Sequence, residues 1–238
     1  MSRRGLVPRR HVEGLAPAQG ITDRPAGPLS AMVADARARG VALGDWRLAI
    51  DAMRPVTQRL WAAADAGTRA RFLRHLRPYW DVHRHRLAPA VADAIDAMVA
   101  RGRLRVVACK TIAARADGDG IALDWRPRGS EAVERLVARR IVNCTGPQGD
   151  LTRSDEPLLR ALVARGAIRP DPLRLGIDVD AQSRVIGADG RADERLHCIG
   201  PMTRAGLLEV VAVPDLRQQS WTLARRLSNA QWVGGEGL

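Results

Sequence analysis

Aromatic side chains are scarce in this sequence, with one Phe, one Tyr and six Trp in 238 residues. That leaves little surface on which nucleic-acid bases could stack. Lysine is almost missing, since of 38 basic residues only Lys110 is not arginine. The three cysteines, Cys109, Cys144 and Cys198, are odd in number and far apart, which excludes a disulfide framework. Each sits in an apolar, strand-like run (VVAC, IVNC, LHCI), so each is expected to be a buried free thiol, as a reducing cytoplasm allows. No stretch approaches the roughly 18 uncharged apolar residues that span a bilayer. The basic start MSRRGLVPRR leads into His, Glu and Pro rather than an apolar signal core. The sequence reads as soluble and cytoplasmic, with no membrane partner.

What is abundant is positive charge, +12 overall. Its near-total reliance on arginine, beside abundant Ala and Gly, is what GC-rich coding sequence writes whatever the protein does. Position says more than sum. Residues 1–110 hold 20 basic and 9 acidic residues, a net of +11, against 18 and 17, a net of +1, over 111–238. A surface charged in this local way attracts a phosphate-bearing ligand, an acidic substrate or an acidic protein face. Nucleic acid is a poorer match, for want of stacking side chains.

Residues 1–28, rich in Gly, Pro and Arg, read as an irregular opening segment. Helices follow. Ser30 is placed to cap one over 31–39 that stops at Gly40, and Asp45 a longer one carrying Leu48, Ile50, Met53, Val56, Leu60 and Trp61, kinked or divided at Pro55. A third starts near Thr68 and is disturbed at Pro78; a fourth, over 89–101, presents Val91, Ile95, Met98 and Val99 and ends at Gly102. Beyond Gly102 the period becomes extended, in LRVVAC, TIAARA, GIALDWR, EAVERLV and RRIVNCTG. The run 140–144 is expected to be a strand whose end opens, at Thr145-Gly146-Pro147, into a loop at the ligand-binding edge of a sheet. A helix over 156–165, short strands near 175–180 and 195–199, and a last helix over 214–229 with Leu216, Leu223 and Leu227 inward complete the chain.

His75, His83, His85 and Asp81 invite a metal-site reading. The arginines at 84 and 86 oppose a cation, and no Cys or Glu lies in the segment to complete a tetrahedral set, so no metal is expected. Two readings of the segment stay open. In one, Tyr79 and Trp80 pack on the sheet while Arg84, His85 and Arg86 face a cofactor or substrate phosphate; in the other, the segment clamps helical and sheet regions together.

Three segments, Ser2-Arg3-Arg4-Gly5-Leu6-Val7-Pro8, Tyr79 to Arg86, and Ile141 to Pro147 with the later Ile199-Gly200-Pro201, resemble in order and spacing the carboxyl-terminal half of the FAD- and NAD(P)-binding oxidoreductases related to flavin-dependent hydroxylases. The resemblance implies an α/β chain, an incomplete FAD/NAD(P)-binding three-layer fold. It would hold a helical remnant of the NAD(P)-binding domain over 1–102, then a mixed sheet region and the closing helix of the FAD-binding domain over 103–238. It implies that Arg3 and Arg4 read the 2′-phosphate of NADP through bidentate bonds. It implies that Thr145, Gly146 and Pro147 pass the chain beside the flavin. It further implies that Gly200, Pro201, Glu209, Val213, Pro214 and Arg217 belong to a closing motif in which a helix amino terminus meets the flavin pyrophosphate or pyrimidine edge. Leu208 stands where this family usually has an aromatic residue before the motif's glutamate.

No G-x-G-x-x-G occurs, and the clustered Gly234, Gly235 and Gly237 follow the last helix instead of opening one. The pyrophosphates of FAD and NADP therefore have no cradle in this sequence. A truncated gene or split frame is the expectation, with an amino-terminal partner chain supplying both glycine turns. Two functions follow from different classes. One is the carboxyl-terminal portion of an FAD-dependent, NAD(P)H-using oxidoreductase or monooxygenase acting on an unidentified small molecule, with no residue assignable as catalytic base. The other is a non-catalytic basic module or inactive remnant that associates with a partner protein or polyanion.

Overall fold

The computed structural model describes residues 4–12, 27–146 and 148–233. Met1, Ser2, Arg3, Pro147 and the Gly234–Gly237 cluster lie outside the described residues. The chain is mixed α/β, with two small sheets, both antiparallel where a mixed sheet region was expected. Its residues gather into two compact units, one of 4–12, 27–54 and 71–146, the other of 55–70 and 148–233.

In the first unit, α1 (Leu29–Ala42) begins after Pro28, with no side-chain cap from Ser30, and runs through Gly40 to a turn at Gly44. Helix α2 (Trp46–Ala63) is capped as its sequence indicates, the Asp45 carboxylate accepting the N–H of Arg47 at 2.8 Å. Pro55 lies within α2 without dividing it. Helix α3 (Ala66–Arg71), which belongs to the second unit up to Ala70, starts two residues before Thr68 because Asp65 accepts the Thr68 N–H at 2.6 Å. A π-turn (Phe72–Leu76) then leads into α4 (Arg77–Arg84).

The proline at position 78 lies in the first turn of α4, where its missing N–H costs least. The Arg74 carbonyl, four residues earlier, is the one such an N–H would serve; the Arg4 guanidinium donates to it at 2.9 Å. Helix α5 (Pro89–Ala100) has proline in its first turn and ends with Gly102 at φ +67°, as read from the sequence. Its buried residue is Ala92, whereas Val91, Met98 and Val99 are exposed.

Strands β1 (Cys109–Asp117), β2 (Gly120–Pro127) and β3 (Glu134–Ala138) form a meander in that order. Two-residue turning at Gly118 and the Asp117↔Gly120 pair set the β1–β2 register. Leu123 and Trp125 of the central strand are buried. On the opposite face Asp124 joins Arg115 and Arg135 of both neighbours in a cross-strand ladder. The expected strand over 140–144 does not form: the segment is unpaired and Val142 is 79% exposed. An apolar run of this kind becomes a strand only where another strand offers it hydrogen bonds, and among the described residues none does.

In the second unit a 3₁₀ turn (Leu151–Arg153) precedes α6 (Pro157–Ala164), which agrees with the helix expected over 156–165. The hairpin is β4 (Arg184–Ile186) and β5 (Ala192–His197), while 175–180 contributes isolated bridges at Ile177 and Val179 instead of a strand. Leu151, Ile168, Ile177 and Val185 form the core, with Leu159, Leu162 and Val163 of α6 packed on it. Helix α7 (Val213–Val233) closes the described chain. Of its residues through Asn229 the most buried is Gln219; Leu216 and Leu223 are half-buried and Leu227 is exposed rather than inward.

Among the described residues no helix is long and apolar enough to cross a membrane.

Candidate functional site

The second unit contains a polar seam built where three loops meet. Its first part is Asp171, only 1% exposed, whose carboxylate accepts the N–H groups of Leu173, Leu175 and Gly176 at 2.7, 2.6 and 2.6 Å. A proline on either side of Asp171 starts a tight turn, and the carboxylate satisfies the donors that the turn leaves inside. Gly176 then passes so close to the next loop that a Cβ there would lie 1.9 Å from the Met202 carbonyl oxygen, which excludes every other residue at that position. The Ile177 N–H donates to that same carbonyl at 2.8 Å.

The second part is the turn after β5. Gly200 has φ +87° and leads into the 3₁₀ turn Pro201–Thr203. Its N–H donates to Gln219 Oε1 at 2.7 Å, its carbonyl accepts from Thr203 Oγ1 at 2.8 Å, and Gln219 Nε2 donates to Thr203 Oγ1 at 3.0 Å. These three residues are buried and mutually satisfied, as an interior polar group requires. The result ties the Gly200 turn to α7: a Cβ at Gly200 would stand 3.8 Å from Leu216 Cδ2, in the first turn of that helix.

The third part is held from α2 and α3. Trp61 Nε1 donates to the Ala205 carbonyl at 2.7 Å. Arg69 stacks over the Trp61 ring at 5.3 Å and donates to the Trp61, Ala62 and Ala205 carbonyls at 3.0, 3.0 and 3.4 Å.

The residues proposed for the closing motif fall around this seam. Gly200 and Pro201 form its turn, and Val213, Pro214 and Arg217 lie at the exposed start of α7, with the first helical bond running from the Leu216 N–H to the Ala212 carbonyl. Glu209 lies between them, half-buried, its carbonyl accepting from the Val211 N–H.

In the first unit, Thr145 donates to the Asn143 side chain at 2.8 Å in an exposed turn that continues through Gly146. Arg4 lies over the Tyr79 ring at 5.4 Å as well as bonding to Arg74. The segment 79–86 is helical through Arg84. A helix results because Pro78 sits in a first turn and the Asp81 and His83 side chains pair along it, His83 Nδ1 lying 2.7 Å from the Tyr79 carbonyl and Asp81 near Arg77. His85 ends the helix, its N–H donating to the Asp81 carbonyl at 2.8 Å.

Arg86, 7% exposed in its side chain, spends its donors inward, on Asp51 through two bonds of 3.0 Å, on the Arg47 carbonyl and on the His83 carbonyl. It joins α4 to α2, a clamp between helices and not between helix and sheet. Trp46 is enclosed by the same group, with Arg47 at 4.6 Å, Arg86 at 5.4 Å and the His83 ring edge-on at 4.6 Å. Among the described residues no group of His, Cys, Asp and Glu is arranged to hold a metal ion.

The hydrogen bonds from Thr152, side chain first, hold the Asp150 carboxyl below its usual range, and burial pushes the Cys198 thiol up. Cys109 is buried as expected, but Cys144 is exposed because the run that carries it joins no sheet.

Sequence reading gave Gln219 no role of its own, although it ends the closing-motif segment 212–219, and missed Thr203 and Asp171. Only Asp171 had a local signal, the Pro-Asp-Pro turn.

The seam offers a glycine turn against a helix start. It does not offer a pyrophosphate cradle, because no glycine fingerprint opens any of its helices. No family model matches the chain, and no curated protein or solved structure shows significant similarity to it.

Proposed function

We propose that this chain is the carboxyl-terminal portion of an FAD-dependent, NAD(P)H-using oxidoreductase or monooxygenase, with an incomplete form of the three-layer FAD/NAD(P)-binding fold. The observation that carries the reading is the tie between the Gly200 turn and α7 through Gln219. A helix start held beside a small-residue turn leaves its own first-turn N–H groups free to meet an electron-rich ligand edge.

The chemistry that FAD supplies when bound is hydride acceptance from NADPH and reaction with oxygen. The part given to this chain is to position the closing edge, with Gly200, Pro201, Glu209 and the start of α7 at Val213, Pro214 and Arg217. Thr145, Gly146 and Pro147 pass beside the flavin, and Arg3 with Arg4 serves the NADP phosphate. Both glycine turns come from elsewhere, in a partner chain or a further segment.

A second reading, a basic module that binds an acidic protein or a polyanion, is favoured by the net +11 of residues 1–110.

Titration of the purified chain with FMN and with FAD, followed by flavin fluorescence, separates the two. The enzyme reading expects weak saturable binding, alike for both flavins and not displaced by ADP, because the adenylate seat is missing. Absence of saturable quenching removes that reading. Tight heparin binding that falls steeply with salt then supports the module.

A further inference from the structure

We infer that residues 133–141 form the interface of a homodimer in which the β3 edges of two copies pair antiparallel. The inference does not rest on the flavin reading. Among the described residues strand β3 pairs only with β2, leaving its other side an open edge, and the chain continues past Ala138 without joining any strand. From Glu131 to Gly146 every residue except Ala138 is exposed, among them Val133, Leu136, Val137, Ile141 and Val142. Edges usually carry Pro, Lys or a bulge that prevents pairing. This one has no Pro or Lys over 131–146, and its β2–β3 register runs without a shift.

Charge selects the occupant. Glu134 stands at the start of the edge and Arg139 and Arg140 at its end. Among the described residues none of the three has an ion-pair partner, whereas Glu131 is bonded to Arg126 and Arg135 to Asp124. A second copy laid parallel would set Glu134 beside Glu134. Laid antiparallel with the twofold axis at Val137, it sets Glu134 of each copy opposite Arg140 of the other, Val137 opposite Val137, and Val133 opposite Ile141. Arg135 then opposes Arg139, a repulsion reduced by Asp124, which Arg135 shares with Arg115. Symmetry makes each pair away from the axis occur twice.

The test is sedimentation equilibrium on the full chain and on three charge variants whose positions are exposed, so that folding, checked by circular dichroism, is retained. Glu134→Arg and Arg140→Glu should each raise the dimer dissociation constant about tenfold or more, because two attractions become two repulsions. The double variant carrying both changes should restore dimerisation. In hydrogen exchange, the amides of 133–141 should gain protection as concentration rises. A chain that is monomeric at every concentration overturns the inference. So does a dimer indifferent to the single changes, or one that the double variant fails to restore.

Discussion

Replacing Gln219 by Leu should cost about 2 kcal/mol of stability, although the two side chains are of similar size and the position looks outwardly like any other on a helix. Gln219 accepts the Gly200 N–H at 2.7 Å and donates to Thr203 Oγ1 at 3.0 Å, in a site where Thr203 is wholly buried. Leucine leaves the Gly200 N–H buried and without an acceptor, a penalty of about 1–3 kcal/mol. Thr203 keeps its own donation to the Gly200 carbonyl at 2.8 Å, so its loss is the smaller part. Thr203→Val removes that donation and the acceptor for Gln219, and the two substitutions should couple, the double variant losing less than the sum of the singles. The assay is urea unfolding followed by far-ultraviolet circular dichroism, reading the midpoint at unchanged slope. A loss below about 0.5 kcal/mol for Gln219→Leu, or strict additivity with Thr203→Val, would refute the claim that this triad fixes the Gly200 turn on α7.

Other substitutions probe the remaining contacts. Gly176→Ala places a methyl group in the Met202 carbonyl and should destabilise by about 3 kcal/mol or more, read as a fall in thermal midpoint. Arg86→Leu strands Asp51 and two carbonyls and should cost about 2–3 kcal/mol in the same melt. Asp51→Asn should cost less than Arg86→Leu, because Asp51 is 42% exposed. Thiol titration with a disulfide reagent should modify exposed Cys144 first, with Cys198 slow because burial raises its thiol pKa, and Cys109 slowest; equal rates would contradict the burial assigned to them. Asp45 is held below the ordinary carboxylate range chiefly by the Arg47 N–H. Its stabilisation is therefore complete above the unfolded pKa of about 3.9 and is lost as pH falls through the lower folded value. Asp45→Ala should flatten the acid limb of the stability profile below about pH 4, and an unchanged limb would contradict the cap.

Local chemistry made several elements legible in advance. Glycine after the last turn marked the end of α5, because that signal acts within a few residues. The 79–86 segment had no assigned element because Trp80, Val82 and His83 do not declare a period; Pro78 lies in the first turn of its helix, and Arg4, 70 residues away, donates to the Arg74 carbonyl. The run 140–144 misled for the converse reason, since its apolar character states what it prefers but not whether a neighbouring strand exists. Gln219 was invisible because its partners lie 16 and 19 residues earlier, at positions that only the packed turn brings to it. The glycines of the candidate site were readable, whereas the side chains that hold them were not.

The most direct measurement is amide chemical-shift mapping of the isotopically labelled chain as FMN is added. The account predicts saturable shifts confined to Thr145 and Gly146, the Gly200 turn through Thr203, Glu209, and the start of α7 from Val213 to Arg217. Shifts that never saturate, or that spread over the arginine-rich helices and leave the Gly200 turn unmoved, would contradict it.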